Sequence, residues 1–310
     1  MPAPLLIVGS VAFDTLHMPS GSFPRVLGGS ATYASIASSL FAKVRLVGVV
    51  GRDFPDSAVE LLRKRDVDLE GLEVDTSGDT FHWEGRYSAD LSSRESLATD
   101  LNVFASFAPK IPESFKSSPF VMLGNIDPVL QLSVLEQVAK PKLVVADTMN
   151  FWIGGKRAEL IKTLGRVDVL VLNDEEAREL SGEHNLVNAA QGLMKLGPRV
   201  IVIKKGEHGA LLFDGTRIFS APAYPTLSVV DPTGAGDTFA GGLIGYLAQQ
   251  DSVDHDALRR AVIYGSALAS FTVEGVSTSR LVSVTRADLE ARYAQFRGLV
   301  HFATEAEAND

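Results

Sequence analysis

Short apolar runs alternate along this chain with stretches in which apolar residues return every three or four positions. Runs that are apolar throughout predict strands buried on both faces, and the intervening periodicity predicts helices that cover them. The strands fall at Leu5–Val8, Val44–Val50, Phe120–Leu123, Leu143–Ala146, Val167–Leu172, Val200–Ile203, Ala210–Phe213 and Ser228–Val230. Helices are expected at Ala31–Phe41, Ser57–Arg65, Val129–Val138, Lys156–Leu164, Glu175–Leu180, Val187–Leu196, Thr238–Ala248, Asp254–Phe271 and Arg286–Phe296. The alternation gives an α/β fold, a mainly parallel central sheet flanked by helices. Within Thr238–Ala248, Phe239, Leu243 and Leu247 recur at helical spacing and form a buried stripe. Gly241 and Gly242 cost that helix stability, so close packing or an approaching ligand must retain them.

Two stretches break the rhythm: Phe13 to Leu27, rich in turn residues, and Thr80 to Phe107, which alternates partly like strands and carries Phe81, Trp83 and Tyr87. Neither shows a helix of its own. No Pro/Ser/Gly-rich linker divides the 310 residues, so residues 1–310 read as one large domain with a small appendage. No repeat or low-complexity tract occurs.

Composition narrows the function more than the fold. A net charge of −9 without a basic patch argues against nucleic-acid or anionic-membrane partners. The absence of cysteine excludes disulfides, thiolate catalysis and cysteine-held zinc, and the six histidines show no metal-ligand spacing. The first residues lack a basic segment and a long apolar run, so a cytoplasmic protein with no membrane span is expected. The small, acidic end from Ala303 to Asp310 is expected to fray.

The chemistry concentrates in Val229-Val230-Asp231-Pro232-Thr233-Gly234-Ala235-Gly236-Asp237-Thr238. It reads as a strand end, a glycine turn and the first turn of a helix. Gly234, Ala235 and Gly236 let backbone approach a ligand, and the helix N-terminus favours an anion there. Asp237 beside such a cradle suits a base that takes a proton from a hydroxyl attacking a bound phosphoryl group. It also suits an ordinary first-turn acid that stabilises the helix dipole. Further candidates stand at strand ends, where open α/β sheets bind ligands: Asp14, Asn173 and Lys204. Asn173 and Glu176 have the spacing of a capping box. Gly206 and Gly209 fit a plain hairpin turn, and Asp14 fits a turn.

The run from Asp231 to Gly242 resembles the C-terminal signature of the ribokinase-like (pfkB-type) carbohydrate and nucleoside kinases. Gly28-Gly29-Ser30-Ala31 with Asp14 upstream, Asn173-Asp174-Glu175-Glu176 and Lys205-Gly206-Glu207-His208-Gly209 match the family in order, so the resemblance spans Leu5 to Arg297. It implies a ribokinase-like fold with a small β-sheet lid, built from segments near 13–27 and 80–107, over the acceptor; a surface hairpin is the plainer reading. It further implies ATP and Mg2+. Glu176 would hold the ion through water, and Asn173, Thr233, Lys204, Gly206 and Gly209 would line the nucleotide. A K+ site would use Asp231, the Thr233 backbone and the loop ending at Ser279. Asp14, Gly28, Gly29, Ser30 and the position of Tyr33 would meet the acceptor. Relatives of the ribokinase and adenosine-kinase type carry asparagine where Tyr33 stands, and usually threonine at Lys204. A lysine there either touches phosphate or is solvated.

The chain is therefore expected to phosphorylate a primary hydroxyl with Asp237 as base, while the N–H groups of Ala235, Gly236 and Asp237 neutralise developing charge. A free sugar or cyclitol ranks first as acceptor and a ribonucleoside second, with Phe81, Trp83 and Tyr87 offering apolar faces. A homodimer through the lid is a further expectation. The rival class is a sugar-binding module without catalysis. No P-loop, protein-kinase or Gly-x-Ser-x-Gly signature competes.

Overall fold

The computed structural model describes residues 2–301, so the acidic tail from Ala303 onward lies outside the described residues. Chain order begins with β1 (Leu5–Val8), β2 (Ala12–Met18), β3 (Gly21–Gly28), α1 (Ser30–Ser38), β4 (Val44–Gly51), α2 (Asp56–Lys64) and β5 (Val67–Asp75). It continues with β6 (Phe81–Tyr87), β7 (Arg94–Asp100), β8 (Phe120–Leu123), α3 (Pro128–Gln137), β9 (Leu143–Asp147), α4 (Asn150–Gly155) and α5 (Arg157–Leu164). Then come β10 (Val169–Asn173), α6 (Asp174–Ser181), α7 (Leu186–Met194), β11 (Val200–Lys204), β12 (Ala210–Asp214) and β13 (Arg217–Ala221). The helices α8 (Ala235–Gln250), α9 (His255–Thr272) and α10 (Arg286–Val300) complete it.

A nine-stranded sheet runs β13-β12-β11-β10-β9-β8-β1-β4-β5. Its members from β11 to β5 are mutually parallel, while β12 and β13 form an antiparallel edge. β1, β8 and β9 are buried at every residue, as their unbroken apolar runs require. A second, four-stranded sheet runs β3-β2-β6-β7. Its strands come from the two stretches that broke the rhythm, with β2 and β6 parallel at its centre.

Several expectations need correction. Ser228–Val230 is not a strand: Val230 N–H donates to the Val273 carbonyl at 2.7 Å, so the end of α9 takes the place of a strand partner. The second lid segment holds a short 3-10 turn at Asn102–Ser106, where Phe104 stacks on Phe81 at 5.3 Å. Helix α8 is buried all round from Thr238 to Ala248 rather than along one stripe. Gly241 explains how: a Cβ there would lie 2.5 Å from the Ala34 carbonyl oxygen, so α1 and α8 approach to backbone contact.

The small sheet is tied to the large one at three places. Arg25 donates to Asp53 at 2.5 Å, and Asp53 also accepts from the Thr80 N–H and hydroxyl, each at 2.7 Å. The Ser277 hydroxyl donates to the Leu27 carbonyl at 2.5 Å. At the far end, the Tyr87 and Thr233 hydroxyls share a hydrogen bond of 2.7 Å.

Candidate active site

The turn before α8 is built by exclusion. Gly234 has φ +73°, and a Cβ there would fall 2.4 Å from the ring of Tyr33. Only glycine meets both constraints. Ala235 N–H turns back to the Pro232 carbonyl at 3.3 Å, which leaves the N–H groups of Gly236 and Asp237 to open the helix without an intrahelical partner. Two donors, rather than the three expected, are thus left at the start of α8. Asp231 braces the turn from behind: its two carboxylate oxygens accept from Thr233 N–H at 2.8 Å and from Ser277 N–H at 2.7 Å.

Asp237 stands in the first turn of α8, half open to the cleft. Its carboxyl is pushed up to about 7, by burial first and then by Asp147, against the pull of Lys204 and Arg94. Asp147 ends β9 and Lys204 ends β11; Lys204 Nζ lies 3.6 Å from Asp147 Oδ1, with both side chains largely buried. Burial lowers the lysine, but Asp147, Glu176 and Asp237 together raise it above its ordinary value, so it stays an ammonium. The expectation of a solvated Lys204 is thereby set aside. Asn173 neighbours it in register on β10.

Asn173 and Glu176 do form the capping box. Asn173 Oδ1 accepts from Glu176 N–H at 2.8 Å, and Glu176 Oε2 accepts from Asn173 N–H at 2.7 Å. Buried Glu176 is pushed up to about 7, mainly by burial, with Asp147 adding to it and Lys204 opposing. Gly206 and Gly209 sit in the β11–β12 turn with φ of +53° and +83°. A Cβ on Gly209 would strike the Ala221 carbonyl at 2.1 Å, so hairpin packing alone accounts for that glycine.

On the acceptor side, Asp14 lies inside β2 and is 5% exposed. A Cβ on Gly28 would overlap its carboxylate, so that glycine makes room for the acid. Burial, then Asp231 and Asp237, push Asp14 up to about 7, with Arg94 opposing. Gly29, at φ +94°, precedes α1. Ser30 and Tyr33 are placed differently from expectation. The Ser30 hydroxyl is engaged with the Ser10 N–H and hydroxyl, each at 3.2 Å, and holds the end of β1 to α1. Tyr33 is fully buried, supports Gly234 with its ring, and has no hydrogen-bond partner for its hydroxyl among the described residues. Trp83 pairs with Asp14 in the β2–β6 register and packs with Leu16 and Tyr87. The hydroxyl of Ser279, expected beside potassium, donates to Val276 at 2.6 Å.

Two residues escaped the sequence reading. Asp147 was findable by the same strand-end rule that drew attention to Asn173. Arg94, exposed on β7 of the small sheet, lowers the carboxyls of Asp14, Glu176 and Asp237 together. No motif marks it, because its place over the site depends on how the small sheet folds across.

With this geometry in view, the similarities become specific. A sequence profile of the pfkB family of carbohydrate kinases matches residues 6–284. A cytidine kinase of Thermococcus kodakarensis is 32% identical over 254 residues, covering 78% of this chain and 88% of that protein. A nucleoside kinase of Methanothermobacter thermautotrophicus is 27% identical over 306 residues, covering 88% and 90%. The crystal structure of a putative ribokinase II from E. coli, in complex with ATP and magnesium, superposes with a TM-score of 0.77. That likeness covers 94% of this chain and 99% of the other at 18% identity, and it establishes a shared fold.

Proposed function

The chain belongs to the pfkB family of carbohydrate kinases and is an ATP-dependent kinase of the sugar and nucleoside type; from that premise we propose that it phosphorylates a primary hydroxyl of a ribonucleoside. The observation that carries the chemistry is the placing of Asp237. It is a carboxyl pushed up to about 7, one residue beyond an N–H at the start of α8 that has no hydrogen-bond partner among the described residues. In its ionised form Asp237 takes the proton of the acceptor hydroxyl. The hydroxyl oxygen then bonds to the γ-phosphorus as the bond from that phosphorus to the β–γ bridging oxygen breaks. ADP leaves, and the proton passes from Asp237 to solvent. The N–H groups of Gly236 and Asp237 face the charge that develops on the phosphoryl oxygens.

Glu176 fits a magnesium ion held through water, since one carboxylate oxygen caps α6 and the other makes no hydrogen bond among the described residues. When bound, the ion neutralises phosphate charge. Asp231 and Ser279 are engaged with backbone groups, as described above. Folding of the small sheet over the cleft as a lid would exclude the water that competes for the phosphoryl group.

For the acceptor, Asp14 and Trp83 support the reading. Register partners on parallel strands share a face, so a carboxylate for hydroxyls and an indole for a flat ring lie side by side. A free sugar or cyclitol, ranked first from sequence, becomes the second reading. The cytidine and nucleoside kinases among the similar sequences favour the nucleoside. An ADP-release screen over cytidine, adenosine, inosine, pentoses, hexoses and inositols decides it. Efficient turnover of a free sugar with none of any nucleoside would reverse the order.

A further inference from the structure

Lys204 is a charged group that the chemistry above leaves unused. Its side chain is 18% exposed, and its sole ion-pair contact among the described residues is Asp147 at 3.6 Å, too long for a good hydrogen bond. An ammonium has three N–H donors to satisfy. A Cβ on Gly236 would come within 2.9 Å of Nζ, so the ammonium lies against the backbone of the first turn of α8, beside the residue whose N–H opens the cradle. Asp237 follows directly in sequence.

We propose that Lys204 is the cation that meets the γ-phosphoryl oxygens during transfer, and that Asp147 is the positioning residue that aims it across the cradle. The proposal rests on the kinase reading. Strand register supports the placement: β10 and β11 end side by side at Asn173 and Lys204, and β9 ends at Asp147. Lys204 and its partner Asp147 therefore stand beside the N-terminus of α8, while Asn173 on the strand between them caps α6. The surrounding charges are Asp147, Glu176 and Asp237 on the large sheet and its helices, and Arg94 on the small sheet. Because the acids hold Lys204 protonated, it needs no proton from solvent to serve an incoming triphosphate. A lysine in this role acts as a point charge on phosphate.

The plain alternative is that Lys204 only balances buried Asp147. Removing both partners separates the two accounts. Lys204→Met alone leaves an uncompensated acid and is expected to lose both stability and activity. The double variant Lys204→Met with Asp147→Asn should recover the melting temperature yet stay ~10²-fold or more below the wild type in kcat, the scale for one lost transition-state donor. By titration calorimetry it should bind ADP as the wild type does and ATP roughly tenfold more weakly, the worth of a charge-assisted contact. Asp147→Asn alone should show the same selective loss of ATP affinity at smaller amplitude. Recovery of kcat together with stability in the double variant, or equal changes in its affinities for ATP and ADP, would overturn the proposal. A wild-type protein that phosphorylates no acceptor, with variants that still lose ATP affinity selectively, would end the acceptor reading and keep Lys204. One that binds neither nucleotide would end both.

Discussion

A carboxyl that titrates near neutrality is a base divided between its loaded and unloaded forms at working pH, and Asp237 is such a group. Replacing it with asparagine keeps the shape and removes the proton acceptor. Asp237→Asn should lower kcat by ~10²–10⁴ while ATP affinity survives; ADP release and calorimetry check the two halves. Near-normal turnover would return Asp237 to the role of a first-turn acid. At this scale the sequence was most legible where a residue's chemistry conflicted with its setting, as with an acid beside an anion cradle. It was least legible where a partner arrives through folding. Tyr33 and Ser30 have the right positions in the chain, yet one props Gly234 and the other binds Ser10. Nothing in either side chain says which neighbour it will find.

Among elements, strands that are buried on both faces announce themselves, and edges do not. β5 reads Val-Asp-Leu-Glu-Gly-Leu-Glu-Val-Asp and β13 reads Arg-Ile-Phe-Ser-Ala. Both lie at the ends of the large sheet, where solvent tolerates charge, and neither forms an apolar run. In the pattern of the chain the small sheet showed as a break in the helical rhythm with partial strand-like alternation, because its edge strands β3 and β7 are largely exposed. Helix α8 carries the sharper lesson. Its glycines looked costly within a helix, and they prove to be contact surfaces, Gly241 for α1 and Gly242 for α9. Gly241→Ala should therefore destabilise the fold even though alanine is the better helix former. Overpacking of about 1–3 kcal/mol opposes a propensity gain of about 1 kcal/mol. Urea denaturation of the variant measures the balance; a gain in stability would mean that α1 yields easily.

Across the whole molecule, three acids, the buried Asp14 and Glu176 and the partly exposed Asp237, are each pushed up to about 7, with desolvation the main cause. Their unfolded counterparts titrate near 4. A folded value above the unfolded one means that stability is fully present at low pH and is lost as pH rises through the folded value. The ligand-free protein should thus melt at progressively lower temperature from about pH 5 to about pH 8, with a shallower slope in Asp237→Asn. Calorimetry across that window checks it, and a flat or rising wild-type curve would contradict the strained acids. For the lid proposed above, the hydrogen bond between Tyr87 and Thr233 has a different consequence, for traffic through the entrance. One neutral hydrogen bond is worth about 0.5–1.5 kcal/mol net, so by itself it biases shut over ajar only ~2- to 13-fold. Burial keeps the Tyr87 phenol protonated, so the bias does not drift with ordinary changes in pH. A fastening this slight works as a latch rather than a bolt: it lowers the apparent affinity of each entering molecule by no more than that ratio, and it cannot long detain a product.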